Sequence, residues 1–307
     1  MWFKNLTIYR LTQPFALGAE DLEERLAARV FRPVGELETD CLGWVPPLGR
    51  EGTQLVHATG GFLMVCARKE ERVMPAAAVR DAVEARARQI EEEEGRPVRG
   101  RRRAELKDQV VFEMLPRAFT RSRERLAYVD PNGGWLLVDA GSPASAEELA
   151  TLLRESLGSL PATPLAVVEA PRAVMTRWLT AGDLPPDFLI EDECDLLDPG
   201  EGRASVRVRR HELSAEEIRG HLDAGKVVTR LALGFDGRLS FVLDERLTVR
   251  RLKFLDLVQE AAAEVETTTA AERFDADFAV MSLEIARFLP RLVDAFGGEA
   301  PAQVGAA

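Results

Sequence analysis

The sequence predicts an α+β fold of mixed helices and mainly antiparallel sheets, and three observations carry that prediction. Two stretches read as β-hairpins: QLVHAT with FLMVCAR about Gly60–Gly61, and KVVTRLALGF with RLSFVL about Asp236–Gly237. Helical patterns are interspersed with paired strands, which fits α+β better than a parallel wound sheet. Towards the end, Phe274, Phe278, Met281, Ile285, Leu289 and Leu292 recur at helical spacing and read as one core-facing stripe.

Taken in order, LTIYRL (6–11) alternates like a first strand, and AEDLEERLAARVF (19–31) reads as an amphipathic helix. GWVPPLG (43–49) reads as a rigid loop, with the first hairpin following at 54–68. Pro75 suits the first position of a helix running to about Glu94, where Val79, Val83 and Ile90 share a face and Arg80, Glu84 and Arg88 pair on another. Gly95 and Pro97 break that helix; a second is expected from Ala104 to Met114, ended by Pro116. Strands follow at 118–130 and 135–140, then a helix at 144–157, a strand at 164–168 and a helix at 171–181. LSAEEIRGHLDAG (213–225) reads as a helix with a Ser214–Glu217 capping box and Gly225 at its C-cap. After Arg250–Arg251 helical sequence dominates.

The 307 residues are 46% hydrophobic and 30% charged, enough for one large domain or two ordinary ones with ample core. No clean linker divides them, so the expectation is a single unit over 1–307 built of interwoven, discontinuous subdomains. No apolar run is long enough to span a membrane, and the N-terminus lacks the pattern of a signal peptide, so a cytoplasmic protein is expected. Cys41, Cys66 and Cys194 are odd in number and widely spaced, and with three histidines they form no zinc spacing. No cofactor is expected.

Charge is the informative feature. The chain carries a formal −11, yet EEEEGRPVRGRRRAELKD (91–108) gathers Arg96, Arg99, Arg101, Arg102 and Arg103 within eight residues. Residues 95–125 hold ten basic side chains against four acidic ones, whereas 183–202 hold eight acids and no base. Arg96 to Arg103 fall between two predicted helices, where forked guanidinium groups can reach phosphates; a solvated loop balancing Glu91–Glu94 is the alternative. In PRAFTRSRER, Arg117, Phe119, Arg121, Arg123 and Arg125 share one face if extended, and if helical Arg117, Arg121 and Arg125 still align at i, i+4, i+8. A buried unpaired row of guanidiniums would be prohibitively costly, so the stripe faces water or an anion. Phe119 within it reads as a wedge, a stacking platform or an interface anchor, or else as one core aromatic at a strand start. Arg203, Arg207, Arg209, Arg210 and His211 form a third cluster, and Arg250, Arg251 and Lys253 a fourth. Four separated clusters suggest a composite surface.

No catalytic constellation emerges: GxxxxGK, GxGxxG, GxSxG and HExxH are all absent. Asp275 and Asp277 in RFDADF read as acids near a helix N-terminus rather than as a metal pair. EDECDLLD (191–198) reads as a solvated acidic segment, and His57 as structural. The expectation is a protein without enzymatic activity. A protein-interaction module with a basic face for an acidic partner, or a metal-dependent nuclease using Asp275, Asp277 or the acidic segment, would be the alternatives.

The sequence as a whole resembles the RdgC family. MWFKNLTIYRL, GWVPPLG, CARKEERVMP, LKDQVVFEMLPRAF, LLRESLGSLPATPL, EEIRGHLDAGKVVTRLAL, RLKFLD and RFDADF carry the resemblance, in order, from residue 1 to about 299. It implies an elongated, horseshoe-like subunit that closes a ring as a homodimer. That ring would bind double-stranded and single-stranded DNA with little sequence preference, associate with the nucleoid and restrain RecA. On this resemblance Arg117 and Phe119 match the family's motif, Phe119 lying where the ring closes. Arg210 and His211 fall at a pair tied to DNA binding or closure, and Arg96 at a basic position; the Arg101–Arg103 run departs from a more lysine-mixed pattern. The expected DNA-binding set is therefore Arg96, Arg99, Arg101, Arg102, Arg103, Arg117, Arg121, Arg123, Arg210 and His211, with 95–125 on the inner wall and 183–202 outside it.

Overall fold

A computed structural model describes residues 1–200 and 202–301. The elements run β1 (Thr7–Leu11), α1 (Ala19–Ala27), β2 (Asp40–Val45), β3 (Val56–Thr59), β4 (Phe62–Val73), α2 (Ala76–Glu94), α3 (Gly100–Met114), β5 (Phe119–Asp130) and β6 (Trp135–Val138). They continue with α4 (Pro143–Leu157), β7 (Ala162–Pro164), α5 (Pro171–Ala181), β8 (Phe188–Leu197), β9 (Ser205–Arg209), α6 (Glu216–Asp223), β10 (Val227–Phe235), β11 (Leu239–Asp244), β12 (Val249–Phe254), α7 (Asp256–Ala263) and α8 (Ala270–Asp294). Among the described residues, eight helices and two mainly antiparallel sheets make this the α+β fold that the hairpin signals imply. The chain divides into a larger unit, Met1–Leu26, Pro46–Cys66 and Arg125–Ala307, and a smaller one, Ala27–Val45 and Ala67–Glu124.

In the larger unit, β5, β6, β1 and β7 are neighbours in that order, with Tyr9 opposite Leu136 and Asp130 opposite Trp135. The second sheet has the order β12-β11-β10-β8-β9. Its strands alternate: Cys194 and Leu196 of β8, Leu231 and Leu233 of β10, and Leu252 of β12 are buried in the core, while Glu193, Asp195 and Arg230 take alternate positions. Helix α8 supplies the shared core. Phe278, Met281, Ile285, Leu289 and Leu292 are buried as the stripe predicts, and Phe288 joins them, its ring 5.0 Å from Phe241 and 5.2 Å from Phe235. A capping box starts this helix: Glu272 N–H donates to Thr269 Oγ1 at 3.1 Å, and Thr269 N–H to Glu272 Oε2 at 3.2 Å.

The smaller unit is a helical hairpin, α2 with α3, alongside β2 and the outer ends of β4 and β5. Val79, Val83, Ala87, Val98, Leu106 and Val110 form its apolar seam. Gly95 turns the chain after α2 with φ +66°, a left-handed conformation that suits glycine, and its N–H caps Glu91 O.

Several elements depart from the sequence reading. Gly43, Trp44 and Val45 belong to β2 rather than to a loop, and a Cβ on Gly43 would lie 2.5 Å from Phe31 Cα, so this close approach requires glycine. Helix α3 starts at Gly100, so Arg101, Arg102 and Arg103 lie in its first turn instead of between helices. Arg80 approaches Asp81 at 4.0 Å rather than Glu84, although Glu84 and Arg88 do pair. Strand β7 ends at Pro164, ahead of the expected 164–168. The acidic segment is β8, an interior strand, not a solvated stretch; Glu201 falls outside the described residues. Helix α6 has no side-chain cap: Ser214 Oγ donates to Glu212 instead of capping. Arg250, Arg251 and Lys253 lie in strand β12. Asp275 and Asp277 sit beyond the first turn of α8, where the macrodipole no longer favours them.

Candidate nucleic-acid interface

In the smaller unit, the arginines of the opening cluster separate into two kinds. The first turn of α3 lacks acids, and three guanidiniums at a helix N-terminus oppose the macrodipole. Carboxylates offset them. Arg102 grips Glu94 with two bonds, Arg103 meets Glu84 at 2.5 Å, and Arg101 pairs with Glu105 at 2.9 Å. These bonds hold the Glu94 and Glu84 carboxyls below their usual range. Arg96 and Arg99, in the connection between the helices, are exposed and make no ion pair among the described residues, although the Arg96 charge also acts on Glu94. They are the free cations of the cluster.

The stripe on β5 is extended. Phe119, Arg121 and Arg123 share one face of the strand's outer end, where both faces are exposed, with Arg117 in the tight turn just before them. Arg121 bonds Glu71 on β4, and Arg123 and Lys69 add their charges, so the Glu71 carboxyl is held down by the Arg121 bond first and then by these neighbours. Several cations thus crowd one carboxylate. Arg117 and Arg123 make no ion pair among the described residues. Arg125 belongs to the larger unit, where it donates to Ser145 O at 2.9 Å and approaches Glu148. Phe119 is 87% exposed, so the core-aromatic reading of it is wrong. The sequence reading omitted Lys69, which alternation along β4 places on the same side as Glu71.

In the larger unit, the third and fourth clusters and the acidic strand meet on the outer face of the second sheet. Glu193 of β8 stands opposite Arg209 of β9, and Asp195 opposite Arg207. Glu193 bonds Arg209 and, at 2.5 Å, Arg251 of β12. Asp195 has Arg207, Arg209 and Arg230 within 3.5 Å. Burial, then the charges of Arg251 and Arg230, push the Arg209 guanidinium below its usual value. Arg210 and His211 follow β9, both exposed; Arg210 has φ +51° and no ion pair among the described residues, and His211 Nδ1 lies 3.0 Å from Glu212 O. The acids of 183–202 are therefore not apart from the basic residues: on this face the two are interleaved.

The carboxylates considered for metal chemistry are engaged otherwise. Asp277 is buried and holds the Met1 ammonium and Arg273; Asp275 accepts from Thr59 and lies 3.0 Å from His57 Nε2. Among the described residues, no group of three or more His, Cys, Asp or Glu side chains is placed to hold a metal ion.

With this geometry in place, comparison with known proteins is decisive. Residues 1–299 match the family model described as "Putative exonuclease, RdgC". The chain is 47% identical over 300 residues to the recombination-associated protein RdgC of Pseudomonas fluorescens, covering 97% of this chain and 98% of that one. The chain belongs to the RdgC family. Identity is 42% to the Aeromonas hydrophila protein and 44% to that of Halorhodospira halophila, each over 299 residues, 97% of this chain and 99% of theirs, and both carry the same name. Membership in the RdgC family thus associates this fold with recombination, while the family description also names an exonuclease. No helix among the described residues is long and apolar enough to cross a membrane.

Proposed function

We propose that this RdgC-family protein binds DNA without sequence preference, duplex and single strands alike, as a nucleoid-associated homodimer that closes a ring and restrains RecA by competing for DNA. The observation that carries the DNA reading is a group of exposed arginines that make no ion pair among the described residues and lie in or beside the basic clusters: Arg96, Arg99, Arg117 and Arg123 in the smaller unit and Arg210 in the larger. A guanidinium fork bonds phosphate oxygens in pairs, and neutralising phosphates releases counter-ions, so such residues bind a backbone rather than a sequence. The acidic balance of the rest of the chain keeps it soluble and discourages off-target adhesion. Phe119, exposed at the start of β5, is the anchor we assign to ring closure between two copies.

The printed family description favours a second reading, an exonuclease. One experiment separates the readings. Anisotropy of a random-sequence duplex and of an oligothymidylate across a salt series measures binding, and the same end-labelled duplex with added magnesium or manganese measures turnover. Affinity that falls steeply with salt, on DNA that stays full length, supports the binding protein. Metal-dependent shortening makes it a nuclease. Absence of binding at low salt turns the reading toward a module for an acidic protein partner.

A further inference from the structure

The outer face of the second sheet holds a charge arrangement that balance alone does not explain. Four guanidiniums, those of Arg207, Arg209, Arg230 and Arg251, crowd two carboxylates, Glu193 and Asp195. On a sheet, opposite charges across strands stabilise and like charges facing each other destabilise. Glu191 and Asp192 line the adjoining cleft as well, and with Arg210 and Lys253 also counted the six cations here still outnumber the four carboxylates. The contacts are also loosely made at Asp195: its Oδ1 is buried, with Arg207 and Arg209 at 3.3 and 3.5 Å, yet it accepts no aligned hydrogen bond.

The backbone is shaped to produce this crowding. Between the paired positions Val242 with Arg250 and Ser240 with Lys253, one residue of β11 faces two of β12, so a bulge inserts Arg251 beside Leu252. A bulge re-aims a side chain: Leu252 stays in the core while Arg251 reaches Glu193 on the outer face. Arg251 and Arg210 both have φ +51°, an uncommon conformation away from glycine, and both line the same cleft of about 560 Å³ together with Arg209 and Lys253. Lys253 is exposed there and has no carboxylate partner among the described residues.

We propose that this cleft is a phosphodiester-binding site in which Arg251 and Lys253 hold a backbone phosphate and Glu193 competes with it for Arg251. The inference rests on the DNA-binding reading and extends the surface around Arg210, which lines the same cleft, with a site whose affinity is set by a built-in carboxylate. Glu193 weakens the site, because a fixed negative charge against Arg251 must be shared or displaced when a phosphate arrives.

The test uses the full chain and a random-sequence duplex over a salt series. Arg251→Gln/Lys253→Gln, at two exposed positions, should reduce the slope of log affinity against log salt by more than about 1, Lys253 contributing in full and Arg251 in part because Glu193 shares it. Arg251→Lys with Lys253 intact should keep the wild-type slope, since the charge and not the fork's packing carries the effect. Glu193→Gln should tighten binding about threefold or more at low salt. An unchanged slope in the double variant, or weaker binding by a folded Glu193→Gln, overturns this site while leaving DNA binding in place. Wild-type protein that binds no duplex overturns the DNA reading itself, and this site with it.

Discussion

Arg102 and Glu94 form a two-bonded ion pair, Nη1 to Oε2 at 2.6 Å and Nη2 to Oε1 at 2.5 Å, closing the connection between α2 and α3. The pair settles what most of the arginine-rich segment does. Three of its five arginines answer glutamates from the same helical hairpin, and two remain free. Free and paired cations should contribute differently to DNA binding, because a paired guanidinium must give up its carboxylate before it neutralises a phosphate. Arg96/Arg99/Arg117/Arg123→Ala is expected to lower the salt slope by about 3 to 4, close to one per phosphate contact. Arg101/Arg102/Arg103→Ala is expected to lower it by less than about 1. Equal losses in the two variants would show that pairing in the free protein does not decide which arginines meet DNA.

Phe119 gives a prediction about assembly. At 87% exposure it contributes little to the fold, so Phe119→Ala should leave the unfolding free energy of the subunit unchanged within about 0.5 kcal/mol. If it anchors a second copy, the same change should weaken dimerisation by about 2 kcal/mol or more, roughly thirtyfold in the dissociation constant. Sedimentation velocity over a dilution series measures this. A variant that self-associates as the wild type does would remove Phe119 from the interface.

What the sequence made legible, and what it did not, follows from the range of the interactions involved. The hairpin about Asp236–Gly237 and the stripe on α8 are written in neighbouring residues, and both were read correctly. The start of α3 was misplaced because Gly100 to Arg103 carry no capping residue and no acid; their stabilisation comes from Glu84 and Glu94 on the preceding helix. Strand β8 was misread for a related reason. Its run of acids looks solvated until Arg209, Arg230 and Arg251 arrive from three other strands. Local pattern reveals periodicity, but the partner of a charge tens of residues away is a property of the fold. The arginine stripe on β5 was legible as a face because alternation in a strand needs no partner.

Cys194 shows how a residue within the acidic run can be inert. It faces the core from β8, and burial, assisted by Asp195, pushes its thiol up to about 12. A folded value above the unfolded one means the associated stability is intact below the ordinary thiol value near 9 and is lost as pH rises from there toward 12. At pH 8 only about one part in ten thousand would be thiolate in the native protein. Alkylation at that pH, mapped by peptide mass, should therefore modify the half-buried Cys41 well before Cys194. Equal labelling rates under native conditions would contradict this burial.

Phe288 is a sensitive point in the core of the larger unit. Its ring meets those of Phe235 and Phe241 edge-on at 5.2 and 5.0 Å and is fully buried, so truncation removes aromatic contacts from several directions and leaves a cavity. Phe288→Ala should cost about 3 to 5 kcal/mol in urea unfolding. Leu283, on the same helix but 62% exposed, provides the control: Leu283→Ala should change stability by no more than about 0.5 kcal/mol. The contrast tests whether α8 presents to the core the face that its hydrophobic spacing specifies. Comparable losses from the two substitutions would mean that the exposed side of α8 is also covered in solution, by another copy or another part of the chain.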